Sequence, residues 1–122
     1  MSDKIAILVL GMHRSGTSAV SALVSCFGAD LGKTLMPAKA QNPIGFFENQ
    51  LLIDLNDEIL QFIGCRWDIP SIDDFNVHFY SVVAAFSARA ASILDRDFDH
   101  DLIAIKDPRL ALLLPFWKHC LK

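Results

Sequence analysis

Two short segments of the chain are almost uniformly apolar. Residues 5–10 have the sequence IAILVL, and residues 102–106 have the sequence LIAIK. Alternating apolar and polar residues would indicate a strand with one solvated face, whereas a continuous apolar run is typical of a parallel strand buried on both faces. The pattern therefore predicts two buried parallel strands, one near each end of the chain.

Three longer segments between these strands carry apolar residues at helical spacing. They predict helices over residues 17–27, 48–63 and 75–94. Gly28 and Gly64 follow the first two segments, at the position where a glycine commonly ends a helix.

A fourth helix is predicted directly behind the second strand. Asp107 is placed to cap its first turn, and Pro108 would occupy the first helical position, where proline is common. Pro115 lies farther along the same segment, and we expect it to kink or divide the helix.

The order of these elements predicts an α/β fold with a doubly wound parallel sheet and flanking helices. Such a sheet normally has about four to six strands, and only two are evident. The chain is also 52% hydrophobic, with a mean hydropathy of +0.35, which is more apolar than a small soluble domain needs. We therefore expect an incomplete N-terminal portion of a larger sheet, whose exposed edge and apolar surface favour self-association.

Charge and cysteine usage narrow the possible partners. The net charge of −3 supplies no basic surface for nucleic acid or for an anionic membrane, and no apolar run approaches the length of a membrane span. Three cysteines without a CxxC pair favour a reducing compartment, and we expect a cytoplasmic protein. The histidines lack metal-ligand spacing, so no metal site is expected.

The segment GMHRSGTS, which follows the first strand, has the spacing of a phosphate-binding loop. Gly11, Gly16 and Ser18 fit the pattern GxxxxGK[ST], but Thr17 replaces the lysine. Backbone amides in such a turn and at the N-terminus of the following helix suit a bound phosphate. The alternative is a turn without ligand, whose glycines only permit close packing. The candidate anion-binding residues are Gly11, His13, Arg14, Ser15, Gly16, Thr17 and Ser18.

Three motifs together resemble the sulfotransferases that use 3′-phosphoadenosine 5′-phosphosulfate (PAPS), particularly the tyrosylprotein sulfotransferase type. HRSGTS is similar to the loop that binds the 5′-phosphosulfate, GFFENQ at 45–50 is similar to the acidic segment, and KDPRL at 106–110 is similar to a strand-end motif. The resemblance implies that residues 1–122 are the N-terminal part of a P-loop sulfotransferase domain. It also places the clamp for the 3′-phosphate beyond Lys122, so we expect this chain alone to be inactive.

The same resemblance assigns catalytic roles. Arg14 and Lys106 would stabilise the transferring sulfuryl group and the leaving phosphate without a metal, and Glu48 would accept the proton of a hydroxyl or amine acceptor whose class remains open. Glu48 could instead only favour a helix dipole, and Lys106 could extend to water. Other interpretations are a P-loop kinase or nucleotide-binding domain, with Asp107 near magnesium, and a non-catalytic interaction module.

Overall fold

The structure is a computed structural model that describes residues 3–12, 15–40, 45–65 and 72–122. Every predicted helix and strand is present in these ranges, with ends that coincide with those expected or differ from them by a few residues. The elements in chain order are β1 (Ile5–Val9), α1 (Thr17–Cys26), α2 (Gln50–Phe62), α3 (Ile72–Asp97), β2 (Leu102–Lys106) and α4 (Leu110–Cys120).

The two strands form a parallel pair. Their register runs from Ile5 opposite Leu102 to Val9 opposite Lys106, so both strands end at the same edge of the sheet. On the other side of β2, the backbone amide of Asp30 donates to the carbonyl of Leu102 at 2.9 Å, and its carbonyl accepts from the amide of Ala104 at 2.8 Å. β2 therefore has neighbours on both sides, whereas β1 pairs with β2 alone within the described residues.

The expected doubly wound P-loop sheet is wrong for the described part of the chain, which is a small mixed α/β structure with four helices and a two-stranded parallel sheet. Between β1 and β2 the described chain forms three helices, and only a single bridge at Asp30 extends the sheet. The expectation that β1 is buried on both faces is also wrong. Ile5 is 68% exposed and only Val9 of this strand is buried, because within the described residues β1 has a neighbouring strand on one side only.

Successive residues of β2 face two different cores. Ile103 and Ile105 join the larger core, and Ala104 joins a smaller one with Ala29 and Leu31. The larger core takes its other buried residues from α2, α3 and α4 and from the turn after α3; they include Leu52, Leu55, Ile59, Val82, Phe98, Leu110, Leu113, Phe116 and Trp117. The smaller core contacts Val24 of α1 and Ile7 of β1. The sheet is therefore covered by α2–α4 on one face and by α1 on the other.

Helix ends follow from local hydrogen bonds. The side-chain oxygen of Asn49 accepts from the amides of Leu51 at 3.0 Å and Leu52 at 3.3 Å, so α2 begins at Gln50, two residues later than expected. α4 begins at Leu110 and continues past Pro115, so of the two expected effects this proline does not divide the helix. The carboxylate of Asp107 accepts a hydrogen bond from the amide of Arg109 at 3.1 Å in the turn before α4. The cap position of α4 is Arg109, so the expectation that Asp107 caps this helix is wrong.

One described segment, Phe75–Asp97 of α3, is long and apolar enough by length and composition to cross a membrane, although no such span was expected. Core helices of soluble proteins have the same length and composition. α3 contacts both α2 and α4 in this structure. The segment therefore does not decide whether the protein meets a membrane.

Candidate functional site

The loop between β1 and α1 depends on its two glycines for different reasons. A Cβ atom on Gly11 would lie 2.6 Å from Ser15 Oγ and 2.7 Å from Thr17 Cγ2, so a side chain there would collide with the loop. Gly16 has a φ of +86° directly before α1, and no heavy atom lies within 4 Å of where its Cβ would be. Close packing and a positive φ of +155° both require glycine at position 11, whereas backbone conformation alone accounts for Gly16. His13 and Arg14 lie outside the described residues.

The partial positive charge at the N-terminus of α1 is not offset by an acidic side chain in its first turn. No side-chain hydrogen bond from Gly16 caps this helix, and its first turn contains no acidic residue. Unpaired amides at a helix N-terminus carry a partial positive charge that favours a nearby anion. Thr17 is buried in this first turn, whereas Ser18 beside it is half-buried. The amides of this loop and the half-buried hydroxyl of Ser18 therefore lie at the edge of the sheet where β1 and β2 end.

Lys106, Glu48 and Ser18 meet at this edge. The ammonium group of Lys106 donates to Ser18 Oγ at 3.2 Å and to the carbonyl of Phe46 at 3.1 Å, and it forms an ion pair with Glu48 Oε1. Ser18 Oγ donates to the same Phe46 carbonyl at 3.3 Å. All three N–H groups of the lysine therefore have acceptors. The structure brings together one residue from each of the three motifs that carry the sulfotransferase resemblance.

One alternative role suggested by the sequence is wrong, that of Lys106, whereas the role of Glu48 beside the helix dipole stays a prediction. Lys106 is 6% exposed, so it does not extend to water at the end of its strand. Glu48 is 3% exposed and precedes Asn49, the residue that caps α2, and its carboxylate binds the lysine. Neither charge has a solvent-facing role in this structure. A pair of charges this deeply buried is stable only with good hydrogen bonding, which the cluster supplies.

The backbone next to Glu48 is strained. Phe47 has a φ of +56°, and it is the one non-glycine residue with a positive φ in the described ranges. A left-handed conformation costs an ordinary residue about 1–2 kcal/mol. The neighbouring Phe46 carbonyl accepts hydrogen bonds from Lys106 and Ser18, which hold this turn in place. Such strain is often concentrated at functional sites, where surrounding contacts maintain it.

A second polar network lies directly behind Lys106 in the chain. Asp107 is 1% exposed; one of its oxygens accepts from Asn56 Nδ2 at 2.8 Å, and the other accepts from the guanidinium of Arg109 at 2.8 Å. Asn56 Oδ1 in turn accepts from the indole N–H of Trp117 at 2.8 Å. Asp107 therefore links α2 to the start of α4.

The charge state of Arg109 follows from the same network. Burial by itself would lower the pKa of Arg109, but the carboxylates of Asp107 and Asp57 outweigh burial and raise that pKa. Arg109 Nε donates to Asp57 Oδ1 at 2.6 Å. Because Asp107 serves this permanent cation and Asn56, its carboxylate is not presented as a magnesium ligand, which weighs against the kinase interpretation. Within the described ranges, no group of three or more His, Cys, Asp or Glu side chains is placed to hold a metal ion.

Sequence reasoning missed several polar groups that shape the site. Asn49 had a usable signal, because an asparagine just before a run of apolar residues at helical spacing is a common helix cap. Asn56 also had one, since it is a polar residue on the apolar side of α2 and is fully buried. The Phe46 carbonyl had none, because a main-chain acceptor leaves no mark in the residue type.

Comparisons with known proteins were made by family, by sequence and by structure. No protein-family model, curated protein or solved structure matches the chain. The sulfotransferase resemblance therefore rests on the three short motifs, and the function must be argued from the site.

Proposed function

We propose that the chain carries the donor-binding and proton-accepting part of a sulfuryl-transfer site that uses PAPS as donor. The observation that carries the proposal is the buried cluster of Lys106, Glu48 and Ser18 beside the N-terminus of α1. It combines a cation, a carboxylate and a hydroxyl next to the backbone amides that begin α1. These are the groups needed to hold an anionic donor, stabilise a leaving phosphate and accept a proton.

The loop and Lys106 account for donor binding. The amides that begin α1 and the hydroxyl of Ser18 would bind the 5′-phosphate, and Lys106 would face the bridging oxygen between phosphorus and sulfur. A donor oxygen would replace Glu48 as the acceptor of one lysine N–H, since all three are already engaged. By the family resemblance, Arg14 would add a second cation.

Glu48 accounts for the proton. Once released from Lys106, its carboxylate would accept the proton of an acceptor hydroxyl or amine while the acceptor atom bonds to sulfur. The bond between sulfur and the bridging phosphate oxygen breaks in the same transfer, and Lys106 balances the charge that appears on that oxygen. The products are the sulfated acceptor and 3′-phosphoadenosine 5′-phosphate (PAP).

Donor binding can be tested by titrating PAP into the protein in a calorimeter. We expect Ser18→Ala to weaken binding about tenfold, which corresponds to one hydrogen bond to a charged group. Ser25→Ala is the matched control, because it makes the same change in the last turn of the same helix. Equal affinities for wild type and Ser18→Ala would refute the loop assignment.

Proton transfer can be tested in the full-length protein, because residues 1–122 alone are expected to be inactive, by the rate at which PAPS releases PAP with water as acceptor. Glu48→Gln should lower this rate about 10²- to 10⁴-fold, the usual loss for a general base. PAP affinity should stay equal or rise, because the variant removes the carboxylate that competes for Lys106. If Glu48→Gln releases PAP at the wild-type rate, Glu48 is not the general base. A requirement for magnesium in donor turnover would favour the kinase interpretation instead.

A further inference from the structure

Asp97 is a buried carboxylate that the proposed chemistry does not use. It is the last residue of α3 and is 6% exposed. Its Oδ1 accepts from the hydroxyl of Thr34 at 2.7 Å, and its Oδ2 accepts from the amide of Thr34 at 3.2 Å and from Asn49 Nδ2 at 2.5 Å. Burial by itself would raise the pKa of Asp97, but these hydrogen bonds outweigh it and lower that pKa. The carboxylate is therefore kept charged.

Asn49 connects this carboxylate to the site. Its Nδ2 donates to Asp97 and, at 3.4 Å, to the carbonyl of Leu31, while its Oδ1 caps α2. The helix cap needs only the oxygen of this side chain, so the amide nitrogen is free to be oriented by Asp97. Because Asn49 directly follows Glu48, the orientation of its side chain and backbone fixes where the Glu48 backbone ends.

A short backbone ladder completes this arrangement. The amide of Met36 donates to the carbonyl of Glu48 at 2.7 Å, and the amide of Gln50 donates to the carbonyl of Thr34 at 2.7 Å. Thr34 therefore binds Asp97 with its amide and hydroxyl and the start of α2 with its carbonyl. Glu48 is held from both sides, by Lys106 at its carboxylate and by this ladder at its backbone.

Gly32 allows the approach between Asp97 and Asn49. Its φ is +86°, and a Cβ atom there would lie 2.8 Å from Asp97 Oδ2 and closer still to Asn49 Nδ2. The chain thus combines a glycine, a charged acceptor and a capping amide around one hydrogen bond. A helix cap alone would require neither the glycine nor the charged acceptor.

We infer that Asp97 is a positioning residue for Glu48 and that it acts through Asn49. This inference rests on the proposed role of Glu48 as the proton acceptor. A base is effective only when its carboxylate is held in the productive geometry, and a displacement of about 1 Å can reduce a rate about 100-fold. Asp97 touches neither donor nor acceptor and influences the reaction through the backbone that carries Glu48.

The decisive experiment is a double-mutant cycle between Asp97→Asn and Glu48→Gln in the full-length protein, measured as the rate of PAP release from PAPS with water as acceptor. We expect Asp97→Asn to lower kcat about 10- to 100-fold with little change in PAP affinity. In the Glu48→Gln background the same substitution should cause no further loss, because the residue it positions is already gone.

Two further variants separate positioning from general stability. Asn49→Ser keeps a good helix cap but removes the amide that Asp97 binds, so it should lower kcat as Asp97→Asn does even where Asp97→Asn fails to fold. Val82→Ala truncates a fully buried side chain in the middle of α3, about four turns before Asp97 and outside the arrangement that holds Glu48. It should lower the urea midpoint of unfolding while kcat stays within about twofold of wild type.

Exchanging the partners provides the rescue. Asn49→Asp alone places two carboxylates opposite each other and should lower kcat. Combining Asn49→Asp with Asp97→Asn restores one donor and one acceptor, so it should recover most of kcat. Additive losses in the cycle, or an equal loss of kcat in Val82→Ala, would overturn the positioning role and leave Glu48 as the base. Wild-type kcat in Glu48→Gln would overturn the proposed function together with this inference.

Discussion

The ion pair between Glu48 and Lys106 makes the strongest prediction about stability. Substituting Lys106→Met keeps the length and apolar stem of the side chain but leaves Glu48 buried without a cation, and it removes a donor from Ser18 and Phe46. Removing one partner of a buried pair costs about 3–5 kcal/mol. For a chain of this size 1 kcal/mol corresponds to about 4 °C, so Tm should fall by roughly 12–20 °C.

The penalty should disappear when both charges are removed. Replacing a buried pair by neutral groups of similar volume is often neutral or stabilising, so the double variant Lys106→Met with Glu48→Gln should unfold within about 1 kcal/mol of wild type. The matched control is Arg89→Met, which breaks the ion pair to Glu58, where both side chains are nearly half exposed. It should change stability far less, because water already screens that pair.

The measurement is urea denaturation at neutral pH for wild type, the two single variants, the double variant and the control, with m-values compared to confirm the same unfolding transition. Two results would contradict the argument. A loss in Lys106→Met no larger than in Arg89→Met would mean that the pair is not shielded from water. A double variant as unstable as the single one would mean that the loss does not arise from an unpaired charge.

Three further predictions address the fold around the site. Gly32→Ala should destabilise by about 2–4 kcal/mol in urea, through strain and overpacking against Asn49, whereas Gly28→Ala, with a φ of +99° but open space, should cost about 1 kcal/mol; equal losses would contradict the close approach. Because the pKa of Asp97 is lowered in the folded state, its stabilisation is present above the ordinary aspartate pKa and is lost as pH falls, so Asp97→Asn should flatten the acid side of the stability profile. Light scattering should show self-association that Ile5→Lys reduces by placing a charge at the open edge of β1; a monomer at all concentrations would rule it out.

Most local elements of this fold could be predicted because their signals are local. β2 was predicted at its observed bounds, Leu102–Lys106, since a continuous apolar run ends there at a lysine and an aspartate. α1 also begins at the expected residue, Thr17. The extent of the sheet could not be obtained in this way. The order of strands and helices suggests a fold class, but each strand of a sheet must be supplied by a segment of chain, and the described segments supply two.

The candidate site shows the same division. The motifs carrying Ser18, Glu48 and Lys106 were expected to act together, and the structure places them in contact. The direct pairing of Glu48 with Lys106 was not expected, because the sequence gives no information on which charges face each other across 58 positions. Asp97 was missed for a similar reason. An aspartate in the charged segment DRDFDHD resembles a solvated residue, and only the folded chain brings it to Asn49.

The pairing of β1 with β2 also determines when the site can form during folding. Ile5 meets Leu102 in the parallel register, and Lys106 binds Ser18 across 88 positions of sequence. Closing so long a loop is entropically costly, so contacts of this kind form late and slow the folding of a small domain. The three helices between the strands can form before β1 pairs with β2. The cluster of Lys106, Glu48 and Ser18 requires that pairing. Substitutions in the cluster should therefore act mainly on the unfolding rate and leave the folding rate nearly unchanged. We therefore expect the site to form late in folding, so that an intact cluster would indicate that the chain between the two strands has folded.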